Sequence, residues 1–334
     1  MYSIDKIQHV HLEISSRCNA SCPLCPRNFY GYPYNDGYVE HDMTLTEAQK
    51  IFQPAFILNL NELYINGNFG DAVMNPDTVP IVQYFRELNP DLTITISTNG
   101  GARDKTFWKE LARLKTKIIF CLDGIDEVHS LYRQNTLYST VIKNAQIFIE
   151  AGGDATWKMI KFEHNTHQQE QAQKLSQELG FGNFVLVDHG RSQGPVYDDR
   201  GNLVHVMGAP PETEFGVLFH SRKNDEVLLK DILSDRQVKD IKCAVQKSKS
   251  VYISSVGDVY PCCFLGFNPK TYGHGNYHQA ANAQYKNLIK NNNALENTLE
   301  KCLEWFSEIE NSWKIPTFEQ GRLVICNDVC GQSQ

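Results

Sequence analysis

The sequence predicts an α/β fold in which parallel strands are covered by helices, on three observations. Strand-like and helix-like segments alternate about six times over the first 190 residues. Hydrophobic residues make up 41% and charged residues 21% of the chain, both near globular norms. Loops bearing cysteine, glycine or asparagine follow the predicted strands at their C-terminal ends.

Residues 8–14 (QHVHLEI) alternate polar and apolar side chains, as a half-buried strand does, and a cysteine-rich loop follows directly. Residues 44–56 read as a helix with Thr44 or Thr46 near its cap. A strand over 62–66 then leads into a loop rich in Gly and Asn. Helix 79–88, strand 92–97, helix 105–114, strand 117–122, helix 140–151, strand 155–162, helix 168–179 and strand 183–187 continue the alternation. Periodicity leaves open whether the sheet is open or closes into a full or partial barrel. In either case a site is built from the loops at the C-terminal ends of the strands.

From about residue 190 to 241 the pattern weakens into Gly, Pro and charged residues (GRSQGPVYDDRGN, GAPPETEFG). The expected organisation is therefore a core over 1–190, a linker over 191–242 and a cysteine-rich α+β extension over 243–334. Within the extension, 251–255 and 259–261 read as a hairpin and 293–309 as helical. The chain has no fixed-period repeat, and Asn291-Asn292-Asn293 is too short to mean more than a loop or cap.

At 334 residues the chain suffices for one large α/β domain and a smaller appendage. Its formal net charge of −7 supplies no general basic field, which argues against nucleic acid as a partner. The start has no apolar run of signal-peptide length, and no segment approaches the roughly 20 apolar residues of a membrane span. A cytoplasmic location without a membrane partner is expected. In a reducing compartment, ten cysteines at short spacings point to metal ligands or catalytic thiols rather than disulfides.

Cys18, Cys22 and Cys25 lie within eight residues, stiffened by Pro23 and Pro26. Structural zinc sites and closed clusters usually take four protein ligands, so three leave one coordination position for a small molecule. The alternative is a zinc site completed by His9 or His11.

This C-x3-C-x2-C loop after the first strand resembles the signature of the radical SAM superfamily. Leu24 stands where that family often has an aromatic residue. The resemblance covers about residues 6–190 and implies a partial (β/α)6 TIM-like barrel. It also implies a [4Fe-4S] cluster on Cys18, Cys22 and Cys25, with S-adenosylmethionine (SAM) chelating the open iron. Phe69-Gly70-Asp71 is similar to the family's glycine-glycine-glutamate stretch, with Asp in place of the commoner Glu. The resemblance implies that the Asp71 carboxylate accepts hydrogen bonds from the SAM ammonium while Gly70 permits close approach. Ser97-Thr98-Asn99-Gly100-Gly101 is similar to the segment that contacts the ribose and amino-acid part of SAM. Asp123, in Cys121-Leu-Asp-Gly124, faces substrate or shapes the turn. Arg133 is a candidate carboxylate partner for SAM or substrate, His129 is expected on a solvated helix face, and Cys121 as a buried small hydrophobe.

The later cysteines resemble the shortened SPASM or twitch extension, which implies an auxiliary iron-sulfur cluster on Cys243, Cys262, Cys326 and Cys330. Zinc on the same thiolates is the alternative, and Cys263 is an alternative ligand to its neighbour Cys262. Cys302 lies in an amphipathic segment, as core or as a hydrogen-donating thiol. Catalytic candidates are thus Cys302, Cys263 and Asp123.

The implied activity is that of a radical oxidoreductase or modifying enzyme acting on a small molecule or peptide, by oxidation, epimerisation, decarboxylation or cross-linking. Flavodoxin or ferredoxin is the implied electron donor. Two rival readings are a non-catalytic zinc or iron-sulfur protein, and an RNA-modifying radical enzyme. For the last, Lys158 and Lys161 beside His164 are the only basic cue, and paired lysines are ordinarily a solvated face.

Overall fold

The computed structural model describes residues 3–25, 27–29, 32–33, 40–188, 194–198, 200–208, 236–267 and 284–332. Pro26 and residues 209–235 of the expected linker lie outside them. Six parallel strands stand side by side in chain order: β1 (His9–Leu12), β2 (Glu62–Ile65), β3 (Thr93–Thr98), β4 (Lys117–Cys121), β5 (Asp154–Ile160) and β6 (Asn183–Val187). Five helical crossovers connect them, as parallel neighbours require.

The alternation seen in the sequence sets the two faces. Val10, Leu12, Leu63, Ile65, Ile94, Ile96, Ile118, Phe120 and Trp157 are buried on one face, packed with Ile81, Phe85, Trp108, Leu111, Val141 and Phe148 of the surrounding helices. Positions between them, such as His11, Tyr64 and Lys158, line the other, half-buried face. Among the described residues the sheet does not close on itself, so the barrel is partial. We call its inner face the lumen.

The expected helix over 44–56 is two. Thr44 and Glu47 form a reciprocal capping box on Leu45–Ile51, and Pro54, which has no N–H to give, starts Pro54–Leu58. The helices Thr78–Leu88, Lys105–Arg113, Tyr138–Glu150 and Gln169–Glu178 fall within two residues of expectation. The expected helix over 293–309 is also two, Leu299–Leu303 and Phe306–Ser312.

Two features depart from the sequence reading. Within the expected irregular linker, β7 (Gly194–Tyr197) pairs antiparallel with β8 (Leu203–Met207). Asp198 holds the connecting turn by accepting from the backbone N–H groups of Arg200 and Asn202. The second departure lies in the extension, whose hairpin β9 (Ser250–Ile253) and β10 (Val259–Tyr260) joins the barrel sheet itself. β9 runs parallel to β1, giving the strand order β10-β9-β1-β2-β3-β4-β5-β6. Val251, Ile253, Val259, Leu299, Leu303 and Phe306 share one hydrophobic core with the barrel.

Candidate functional site

The chain leaves β1 at Leu12 and crosses the C-terminal ends of the strands from Glu13 to Cys25. Ser15 donates to Asp42 at 2.6 Å, and Arg27 donates to the Ser16 carbonyl, which pins the loop's base. The Cys25 N–H donates to the Cys22 carbonyl at 3.0 Å and the Asn28 N–H to the Cys25 carbonyl at 2.9 Å, folding the cysteines into consecutive turns.

Two of the three sulfurs are met by N–H donors. The Ala20 N–H lies 3.4 Å and Asn99 Nδ2 3.6 Å from Cys18 Sγ, while Arg133 Nη1 lies 3.9 Å from Cys22 Sγ. Burial, and then the charges of Asp71, Cys22 and Cys25, push the Cys18 thiol well above its usual range. Cys18, buried beside two further thiols, resists becoming anionic unless a metal shares the charge. The donor set therefore fits a thiolate-bound metal cluster. Among the described residues no three His, Cys, Asp or Glu side chains already close around a single ion. His9 pairs with Glu62 at 3.1 Å, and His11 contacts the Asn66 carbonyl at 2.8 Å from inside the lumen, so neither joins the three thiols.

The loop after β2 is held by two buried carboxylates. Asp71 accepts from Thr98 Oγ1 at 2.7 Å and the Val73 N–H at 3.1 Å through Oδ1, and from the Asn99 N–H at 2.7 Å through Oδ2. It is a strut joining this loop to the end of β3, with Oδ2 keeping a further acceptor site. Glu13, which the sequence reading missed, accepts from the N–H groups of Phe69 and Gly70 at 2.8 and 3.1 Å and from the Tyr252 hydroxyl at 2.6 Å. It ties the glycine loop to β9. No signal singled it out, because Glu13 takes a polar place in the alternation of residues 8–14. Burial pushes the pKa of both carboxylates up, against their hydrogen bonds. At Gly70 a Cβ would stand 2.0 Å from the Ser15 carbonyl oxygen, so the loop can lie this close to the thiol segment only without a side chain.

Asn99 Nδ2 also donates to Asn19 at 2.9 Å, which places the Ser97–Gly101 segment against the thiol loop. Gly100 has φ +67°, a conformation that favours glycine. Asp123 is fully buried; it accepts from Arg133 Nε and from the Ile160 N–H, both at 2.6 Å. Its carboxylate thus fixes the guanidinium beside Cys22. The β7–β8 hairpin covers this corner, with Val196 and Met207 packed against Ala20, Cys22, Leu24, Tyr132, Ile160 and Phe162.

His129 is buried instead of lying on a solvated face. Its Nε2 meets Thr136 Oγ1 at 3.0 Å, and that hydroxyl donates to the Arg133 carbonyl, so Nε2 carries the ring proton. Burial, opposed by Asp123 and reinforced by Arg133, pushes its pKa from 6.5 down to about 4. The neutral ring's contribution is complete above pH 6.5 and is lost as pH falls through 4, a swing of about 3 kcal/mol. Urea unfolding at pH 7 and at pH 5 should show the acid loss, and His129→Asn should reduce it.

A row of lumen side chains runs beneath the thiol loop. Lys158 Nζ donates to Ser97 Oγ at 3.2 Å, and Ser97 Oγ lies 3.5 Å from Cys121 Sγ. Charge on Cys121, against burial, holds the Lys158 ammonium above its ordinary range. His11 sits between the rings of Tyr64 and Tyr252, at 5.1 and 5.0 Å. Neither lysine of the RNA cue makes a basic surface, because Lys158 is inside the lumen and Lys161 pairs with Asp188 at 3.0 Å.

Cys243, Cys262, Cys326 and Cys330 line one apolar cavity of about 80 Å³, walled by Leu265, Ile309 and Trp313. Cys243 and Cys330 hydrogen-bond to each other, which makes Cys330 the more acidic of the two. Cys263 does not line this cavity; it lies near Glu13, Tyr64 and Tyr252 on the lumen side. Cys302 is fully buried in the core near Asp258, at neither thiol group.

No protein-family profile matches the chain. An uncharacterised protein of Methanocaldococcus jannaschii is 20% identical over 269 residues, covering 78% of this chain and 86% of that protein. The FeMo cofactor biosynthesis protein NifB of the same organism is 28% identical over 119 residues, covering 34% of this chain and 39% of NifB, so the match spans less than half of NifB. Among solved structures, anSMEcpe with bound AdoMet matches with a TM-score of 0.56 at 17% identity, over 98% of this chain and 88% of its own. Streptococcus suis SuiB bound to the precursor peptide SuiA matches with a TM-score of 0.55 at 14% identity, over 96% and 76%. The chain therefore has the partial-barrel fold of these proteins, as the superfamily resemblance implied. Among the described residues, no helix is long and apolar enough to cross a membrane.

Proposed function

We propose that the chain is a radical SAM enzyme, with Cys18, Cys22 and Cys25 as ligands of a [4Fe-4S] cluster that leaves one iron for S-adenosylmethionine. The observation that carries this is the gathering of three thiols, two of them met by N–H donors, at the C-terminal edge of a fold shared with an AdoMet-bound protein. When bound, the cluster and SAM supply an electron and a 5′-deoxyadenosyl radical for hydrogen abstraction from substrate.

The chain's own residues bind and orient. Asp71 and Glu13 hold the loop around Gly70 flat against the thiol segment, leaving backbone exposed to a nucleotide's amino-acid part. Ser97, Thr98, Asn99 and Gly100 form the adjoining wall, and Arg133, fixed by Asp123, offers a cation to a carboxylate beside Cys22. The β7–β8 hairpin excludes water from that corner.

Cys243, Cys262, Cys326 and Cys330 are assigned to an auxiliary cluster of the SPASM or twitch type, with Cys262 rather than Cys263 as the ligand. A cluster held there would supply an acceptor for an electron from substrate, which would make the net reaction an oxidation. Hydrogen returned by a thiol makes it an epimerisation, for which Cys263 on the lumen side is better placed than Cys302. Peptide complexes of SuiB and anSMEcpe support a peptide substrate, and flavodoxin or ferredoxin is the fitting electron donor.

Anaerobic reconstitution with iron and sulfide, followed by assay of 5′-deoxyadenosine release from SAM, tests the proposal. A preparation that takes up only zinc, stays colourless and releases no nucleoside overturns it. Reconstituted iron should approach about eight atoms per chain and fall to about four in Cys262→Ala, while Cys263→Ala keeps about eight. Iron and sulfide analysis checks this.

A further inference from the structure

Lys158 is a half-buried cation without a carboxylate partner. Among the described residues its ammonium donates to Ser97 Oγ at 3.2 Å, and no carboxylate lies within ion-pair distance. Of the charged groups that face it, Asp123 is already bound to Arg133, while Cys121 reaches it through the shared contact with Ser97 Oγ. An ammonium turned into the lumen is partly stripped of water, a cost that a methionine filling the same space would not carry. Two of the three ammonium N–H donors remain for something else.

Its position suggests what that is. Lys158 pairs in register with Cys121 on β4, two residues before Asp123, and Ser97 lies on β3, two residues before Asn99, which follows the strand. Side chains two residues apart share a face, one step of about 7 Å along the strand. The residues two positions further on, Asn99 and Asp123, meet the thiol loop, directly at Cys18 and through Arg133 at Cys22, and Asp123 also accepts from the Ile160 N–H. Lys158 thus stands one step below the reaction centre, on the half-open lumen face.

We propose that Lys158, flanked by Ser97 and Tyr64, binds an oxyanion of the substrate, a carboxylate or a phosphate, and so holds the adjacent carbon under the thiol loop. The assignment deepens the radical SAM reading and rests on it for the identity of the reaction centre, but anion binding itself needs neither cluster nor SAM.

The test is acylation of the reconstituted full chain with acetic anhydride, read by peptide mass spectrometry at Lys158 and at the reference Lys161. Succinate, inorganic phosphate or chloride is added at matched ionic strength. At a concentration ten times its dissociation constant, succinate or phosphate should slow Lys158 acylation about tenfold relative to Lys161. Protection by succinate alone assigns a carboxylate and by phosphate alone a phosphate. The same anion should raise the melting temperature of the wild type but not of Lys158→Met. No protection by either anion overturns the proposal, and this reading on the wild type stands even where Lys158→Met folds poorly. Cys22→Ala should keep the protection. A failure of the cluster reading would show instead as absent 5′-deoxyadenosine release with protection intact.

Discussion

Replacing Cys22 by Ala should reduce 5′-deoxyadenosine release to background and remove about four iron atoms per reconstituted chain. Cys22 is the middle thiol of its loop, packed against Leu24, Tyr132 and Ile160, and Arg133 points at its sulfur. Two remaining thiolates cannot hold a cube, so the loss is of the cofactor itself and not of a few-fold in rate. Cys302→Ala is the matched control. It removes a buried sulfur from the core, far from both thiol groups, and should cost about 1 kcal/mol of stability with release retained. Anaerobic chromatography of the nucleoside products reads both, and normal release by Cys22→Ala would refute the assignment.

The second large effect is on stability. Asp123→Ala should destabilise the fold by about 3–5 kcal/mol, because it leaves the Arg133 guanidinium buried and unpaired and the Ile160 N–H without its acceptor. Chemical denaturation measures the loss. Joining it to Arg133→Met removes both charges, and most of the stability should return. Nucleoside release should not return, since the cation beside Cys22 is then gone. A double variant with wild-type release would show that the ion pair serves packing alone.

What could be read from the sequence was local. The spacing of Cys18, Cys22 and Cys25 is a property of eight residues, and the alternation in the strands is a property of five or six. Both survive into the structure with little change. Pro54 announced the break in the helix after Thr44, yet the apolar period running through it masked the signal. The β7–β8 hairpin was hidden because Gly194, Pro195 and Gly201 make it look like loop, while Val196 and Met207 stabilise it through packing on the thiol corner, a contact distant in sequence. Glu13 and Tyr252 are 239 residues apart, and no periodicity reports a contact of that range. The same holds for Cys262 and Cys263, neighbours in sequence whose sulfurs are divided between the cavity and the lumen.

The place of β9 beside β1 bears on how the polypeptide is made. The Glu13 N–H donates to the Ile253 carbonyl at 2.9 Å, so the opening strand has a bare flank until codon 253 has been read and its residue has cleared the ribosome. Nascent chains shorter than this present an unpaired hydrogen-bonding edge of the kind that recruits neighbouring chains. Translation stalled before that codon should therefore yield chaperone-bound or insoluble fragments, and a gene cut after residue 242 should not yield a free-standing barrel.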